Sequence, residues 1–313
     1  MSNILEWPFP YFKDMSMELR HLRYFVTVAE ERHITRAAVR LGMQQPPLSL
    51  QIKQLETELG ACLFIRTARG VQLTAAGETF LEEAKAILAS VDHAATRTLQ
   101  VAQGRLGRLS VGFTTSAILH PFVRRIMRVF RETYPAVELD LDEGNAAKLT
   151  QSVASGAISA GFLRIPVNRP SGLAFVELLQ EDLLVVLPSG HPLGSGPEPL
   201  DLAELARERF ILVRQPGAPG IYENVIAACR AAGFEPSIAA EVPHMLTNVN
   251  LVAAGLGVSV VPASMSQIDL QDVRYRRLRV TPLLTAPLTM AHRTDDADPI
   301  LANMLAIARD LAA

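Results

Sequence analysis

Two stretches of the chain combine residue types and spacings suited to recognition chemistry. The first is "QQPPLSLQIKQLETELG", Gln44 to Gly60. A helix there gathers Leu48, Ile52, Leu55 and Leu59 on one stripe, because residues advance about 100° each around the axis. Gln44, Gln45, Pro46 and Pro47 form its N-terminal turn, while Ser49, Leu50 and Lys53 face outward. Glutamine pairs bidentately with adenine in the major groove, and serine serves a base or a phosphate. Lys53, with Arg66 and Arg69 in the following "LFIRTARGVQLTAAG", supplies charge that neutralises phosphates and makes binding salt-dependent. Leu50 is the odd member, since it points almost directly away from the buried stripe. Either its tip meets a thymine methyl, or it is a stray exposed leucine, which needs no explanation by itself.

The second stretch is "VGFTTSAILHPF". Thr114, Thr115 and Ser116 follow an apolar strand and open a helix. Their hydroxyls sit beside free N–H groups at the positive helix end, a seat for a carboxylate. Asn145, after "VELDLDEG", and Arg164, after "SAGFL", also fall at strand ends, where ligands of such sheets gather. Helix capping is the alternative role for Ser116 and Asn145, and an interlobe salt bridge is the alternative for Arg164. "QPGAPGIYE" and "VPHMLTN" offer Pro216, Tyr222, His244 and Met245 from a second lobe.

Catalytic signatures are missing. The 7 histidines have no metal-ligand spacing, and neither a GxSxG nor a P-loop occurs. A lone GxG in "GLGVSVVP" joins a helix to a strand, so Gly255 and Gly257 read as C-cap and turn. No enzyme activity, metal or cofactor is expected. Cys62 and Cys229 have no CxxC or Cys/His company, and both have apolar neighbours. The expectation is a pair of buried, inert thiols in a reducing cytoplasm.

The surrounding elements must position these groups. Residues Met17 to Ala75 carry eight Lys/Arg against five acids, within a chain of net charge −2. Helical spacing links Leu19, Leu22, Phe25, Val26 and Ala29. "HITRAAVRLG" reads as a second helix with Thr35 as N-cap and a stop at Gly42. Pro46 or Pro47 suits the first turn of the third helix, where a missing N–H does no harm. A hairpin turning near Arg69–Gly70 completes the winged helix-turn-helix order. Phe80, Ala84, Ile87, Val91, Ala94, Thr98 and Val101 then repeat at spacings of four and three, a heptad seam flanked by Leu81, Leu88 and Ala95. A dimer through this helix is expected, because no second helix with a matching seam follows. Glycines 104 and 107 mark a hinge. From Leu109 onward, "LSVGF", "VELDL", "SAGFL", "LLVVLP", "FILV" and "VSVVP" alternate with helical stretches, the grammar of α/β units on mainly parallel sheets.

The ensemble "TRAA", "QPPLS.QI..LE..LG", "LF.R" and "LT.AG", in that order, strongly resembles the LysR-type transcriptional regulators, over essentially everything from Met17 onward. "VGFTTS", "AGFLR", "HPL" and "LVAAGLGVSVVPASM" look like the branch that controls aromatic-acid catabolism, sensing benzoate-, muconate- or phenylpropenoid-type compounds. The resemblance implies an α/β multidomain protein: an N-terminal winged helix-turn-helix, a long linker helix, and a two-lobed effector domain resembling periplasmic solute-binding proteins. The expected boundaries are an extension over 1–16, the DNA-binding domain over 17–75, and the linker helix and hinge over 76–108. The first effector lobe is expected over 109–180 and 283–313, and the second over 181–282. By resemblance, Thr35 and Arg36 touch the DNA backbone, and Ser116, Asn145 and Arg164 match positions lining the aromatic-acid pocket. Leu50 departs from the pattern, which commonly has arginine there.

The implied function is transcriptional regulation controlled by a small organic acid, with promoter duplex, a carboxylate effector and further copies of the chain (homodimer, homotetramer) as partners, RNA polymerase as another candidate, and a cytoplasmic location. Two alternatives stand beside it: a solute-binding or transport component, and an oxidant-sensing regulator. The opening "MSNILEWPFPYFKDMSMELRHL" reads as neither signal peptide nor membrane span, and no apolar run approaches the roughly 20 residues needed to cross a bilayer.

Overall fold

The structure, a computed structural model, describes residues 17–164, 169–197, 199–214, 220–268, 270–279 and 283–312. The expected extension over 1–16 and Pro216 lie outside the described residues. Two compact units divide between Leu99 and Gln100.

In the first unit, α1 (Leu19–Glu31), α2 (Ile34–Arg40) and α3 (Gln45–Leu59) precede a hairpin of β1 (Phe64–Thr67) and β2 (Gly70–Leu73), and α4 (Ala75–Ala102) follows. Their apolar faces converge on Leu22, Phe25, Val28, Ala37, Leu48 and Leu55. Phe25 is the hub, with ring centroids 5.2 Å from Phe64 and 4.9 Å from Phe80. Leu59 is only half-buried, unlike the other three leucine and isoleucine positions of the expected stripe.

Helix α2 begins one step earlier than its expected cap. His33, extended at φ −157° and ψ 117°, is the N-cap, and Thr35 is an exposed second helical residue. The reason is the tight turn before it: Arg32 closes α1 in the left-handed region at φ 50°, which leaves only His33 between the helices. The Arg32 carbonyl accepts the Val71 N–H at 3.0 Å, fastening the hairpin to this turn. Gly70 permits the approach, since a Cβ there would lie 2.2 Å from that carbonyl oxygen. Glu56 of α3 ties the hairpin's other end, accepting the Leu63 and Phe64 N–H groups at 2.7 and 3.1 Å.

Cys62 is exposed, which corrects the expectation of burial; its neighbour Leu63 takes the core position at the entry to β1. Cys229 is buried, and burial pushes its thiol up to about 12, so it stays protonated and inert. Helix α4 runs 28 residues, yet within one chain it buries only Gly77 and Ala84. Along the seam, Ile87 is 40% exposed and Val101 54%.

The second unit has two lobes. The first contains β3 (Gly107–Phe113), α5 (Thr115–Ile118), α6 (Pro121–Thr133), β4 (Val137–Glu143), α7 (Ala146–Ser155), β5 (Ala160–Arg164) and β6 (Leu173–Leu179). The chain then enters the second lobe through β7 (Leu183–Pro188), continuing with β8 (Arg209–Val213), α8 (Gly220–Ala231), β9 (Ser237–Val242), α9 (Met245–Ala253), β10 (Ser259–Pro262) and β11 (Val273–Arg277). It returns with β12 (Leu288–Arg293) and α10 (Pro299–Ala312).

The first lobe's sheet has the order β4-β3-β5-β12-β6, and the second lobe holds β10-β7-β11 and β8-β9. Pairs built by βαβ connections, β3 with β4 and with β5, and β8 with β9, are parallel. Strands adjoining the two crossings, β6, β7, β11 and β12, pair antiparallel, so the sheets are mixed rather than mainly parallel. A chain that changes lobes re-enters a sheet without a helical crossover, which removes the constraint toward parallel pairing. Separate cores follow, one around Phe113, Phe130, Phe162 and Met290, the other around Val185, Phe210 and Val258. Leu284 and Ala286, just past the expected lobe boundary, pack in the second core, and Asp182 bridges Thr285 where the crossing segments run side by side.

Candidate functional site

The outward face of α3 is built by its buried one. Leu48, Ile52 and Leu55 anchor the helix, so Pro46, Pro47, Leu50 and Lys53 are left exposed. Gln44 is the N-cap in extended conformation and makes no side-chain cap bond, so its amide stays available. Gln45 donates from Nε2 to Ser49 Oγ at 3.0 Å, which holds these two groups one helical turn apart as a unit. Arg66 and Arg69 lie exposed on the hairpin, and neither they nor Lys53 form an ion pair among the described residues. Arg36, at α2's start, donates to the Glu31 carbonyl at 2.6 Å and remains exposed. This surface presents amides, a hydroxyl and cations together, a combination suited to base edges and phosphates.

A second site lies between the lobes of the other unit. A cavity of about 680 Å³ is lined from the first lobe by Thr114, Thr115, Ser116, Asn145 and Arg164, and from the second by His244 and Met245. Seven of the nine expected residues are thus brought together. Tyr222 is not among them: its hydroxyl donates to Glu241 Oε1 at 2.7 Å, and Arg214 lies over its ring at 5.3 Å. The Tyr222 phenol satisfies its polar end there instead. Sequence reading missed Glu143, Lys148, Val213 and Ile221, which also line the cavity. Glu143 and Lys148 flank Asn145 by two and three positions, the one local signal available.

The hydroxyls of "TTS" have different fates. Thr115 Oγ1 donates to Glu143 Oε1 at 2.6 Å. Ser116 Oγ accepts from Arg164 Nε at 3.3 Å. Thr114 Oγ1 is buried and has no hydrogen-bond partner among the described residues. The first-turn N–H groups of Thr115 and Ser116 have no intrahelical acceptor. Asn145 does cap α7, its Oδ1 accepting the Lys148 N–H at 2.8 Å.

Arg164 ends β5 at only 5% exposure. Its Nη2 pairs with Glu181 Oε2 and reaches Ser264 Oγ at 3.1 Å, while Nη1 donates to the Ala286 carbonyl at 2.8 Å. Glu181 also accepts the Ser264 backbone N–H. Glu181 and Ala286 stand on the two crossing segments and Ser264 follows β10, so Arg164 does hold an interlobe salt bridge while lining the cavity. Burial pulls the Arg164 guanidinium below its usual value, and Glu181 opposes that pull. His120, the N-cap of α6, lies 4.0 Å from Glu181; burial lowers its value, against the raising effect of Glu181.

Among the described residues no group of three or more His, Cys, Asp or Glu could hold a metal, and no helix is long and apolar enough to cross a membrane.

Two family models match the chain: "Bacterial regulatory helix-turn-helix protein, lysR family" over residues 19–78, and "LysR substrate binding domain" over residues 102–313. The chain is 42% identical over 264 residues to the uncharacterized HTH-type transcriptional regulator YnfL of Escherichia coli (strain K12), covering 83% of this chain and 87% of that relative. It is similar to the crystal structure of CbnR, a LysR family transcriptional regulator, at TM-score 0.85 and 32% identity, covering 94% of this chain and 100% of the other. Full-length CbnR complexed with its target DNA matches at TM-score 0.81 and 32% identity, with 95% and 100% covered. The effector-binding domain of BenM with its effector benzoate matches at TM-score 0.58 and 27% identity, over 66% of this chain and 91% of the other.

Proposed function

The chain belongs to the LysR family of DNA-binding transcriptional regulators, a non-enzymatic family, and from that premise we propose that a small organic acid of the aromatic class, held in the interlobe cavity, controls it. The carrying observation is Thr114: a residue on the wall of a ligand-sized cavity, beside N–H groups at a helix start, whose buried hydroxyl has no partner among the described residues. Such an orphan is costly unless something bonds it, and a carboxylate oxygen is a matching acceptor. Val213, Ile221 and Met245 offer an apolar wall for the rest of the molecule. The benzoate-bound BenM domain supports the same class.

The seam of α4 supports a dimer of two chains, and the likeness to full-length family structures supports a homotetramer. Promoter duplex is the macromolecular partner, read by the α3 face, with Thr35, Arg36, Arg66 and Arg69 on the phosphates. RNA polymerase is the further partner we assign, and the cytoplasm is the location we assign. An exposed Cys62 does not by itself favour oxidant sensing.

Isothermal titration of the full chain with benzoate, muconate and cinnamate tests the ligand class. Saturable binding by one of them is expected; the absence of heat with every acid, alongside binding of a non-anionic compound, would reject it.

A further inference from the structure

On the outer face of α3 three apolar side chains stand together in water. Leu50 is 56% exposed, and Pro46 and Pro47, four and three residues before it, are exposed on the preceding turn. Side chains at these spacings share a helix face. The polar neighbours are turned to each other: Gln45 to Ser49 at 3.0 Å, and Gln51 to Gln54 at 2.8 Å. Leu50 itself lies opposite the anchor formed by Leu48, Ile52 and Leu55, so no rotation of the helix that keeps its core would bury it.

A single exposed leucine is ordinary. An apolar cluster in the N-terminal part of a helix that enters DNA is a recognition feature, because it needs an apolar counterpart there. The edges of the major groove carry one of methyl size, the 5-methyl group of thymine; the other recognition features are hydrogen-bond donors and acceptors or bare C–H groups. Leucine can neither accept from nor donate to those.

We propose that Leu50 is a specificity-determining residue that selects thymine at one position of each half-site by packing on its 5-methyl group. The proposal rests on the reading of α3 as the groove-entering helix. It makes Leu50 a reader of one carbon atom, with Gln45 and Ser49 acting as a coupled polar pair beside it.

The test uses the full chain and a duplex it selects from a randomised pool. Each thymine is replaced in turn by deoxyuridine, which removes only the methyl group. For the natural chain, one replacement per half-site should weaken binding roughly three- to fivefold, the effect of about one buried methyl group. Leu50→Ala should bind the all-thymine duplex weaker by a similar factor and should be indifferent to that replacement. Because Leu50 is outside the core, melting of Leu50→Ala should match the natural chain, so a folding defect is separable. Equal sensitivity of both proteins at every thymine, or no sensitive thymine at all, would overturn the proposal. Failure of the natural chain to retain any duplex would instead remove the DNA reading of α3, and this inference with it.

Discussion

Arg164 and Glu181 form an ion pair that is almost completely buried, 17 positions apart in sequence, at the place where the chain leaves one lobe for the other. The same guanidinium reaches the Ala286 carbonyl on the returning segment and lines the cavity. One side chain thus touches both crossings and the ligand space, and under the proposed ligand control it is the route from occupancy to lobe angle. A ligand shifts that angle only to the extent that it binds the two arrangements unequally.

Glu181→Leu should destabilise the second unit by about 3–5 kcal/mol, because it leaves the Arg164 charge buried and unpaired. The double variant Arg164→Met with Glu181→Leu should recover most of that loss. Urea melts of the three proteins check this; equal losses in the single and double variants would show that packing, not charge, holds the crossing.

Thr114→Val separates stability from recognition. The hydroxyl it removes has no partner among the described residues, so the ligand-free melting temperature should not fall. Affinity for the acid should drop about tenfold, the worth of one hydrogen bond to a charged group. Calorimetry and a thermal melt on the same preparation read both.

His120 ties acidity to stability. Burial lowers its value from 6.5, with Arg164 and Arg124 also lowering it and Glu181 raising it. The folded state therefore prefers the neutral ring. That contribution is complete above pH 6.5 and declines as pH falls below it, since the unfolded chain takes up the proton first. The ring's Nδ1 accepts the Phe122 N–H at 3.1 Å, a capping role asparagine can keep. His120→Asn should accordingly lose less melting temperature than the natural chain between about pH 7 and about pH 5.5, the span over which an ordinary histidine titrates.

The legible parts of the chain were those governed by neighbours a few residues away. The stripe Leu48, Ile52 and Leu55 and the prolines at the start of α3 are local signals, and both mark α3 as it stands. Strand-end placement likewise brought Thr114, Ser116 and Asn145 to one cavity. Partners set by tertiary packing were not legible. Nothing near Arg164 in sequence announces Glu181 or Ala286, and nothing near Tyr222 announces Glu241, 19 positions on. Thr35 looked like a cap because its residue type suits one; the left-handed turn at Arg32 moved the cap to His33.

The seam of α4 yields an assembly test. Ile87→Glu places a charge on an exposed apolar position, so the isolated chain should melt as before. Sedimentation should show a shift to lower mass, and an unchanged mass would place the dimer contact elsewhere.

The most direct measurement of ligand control is a hydroxyl-radical footprint of the full chain on its selected duplex, with and without the acid that binds best. The expected result is a change in the length or spacing of protection for the natural chain, which Thr114→Val reaches only at about tenfold higher acid concentration. An identical footprint for the natural chain at saturating acid would contradict control of the DNA-binding unit from the interlobe cavity.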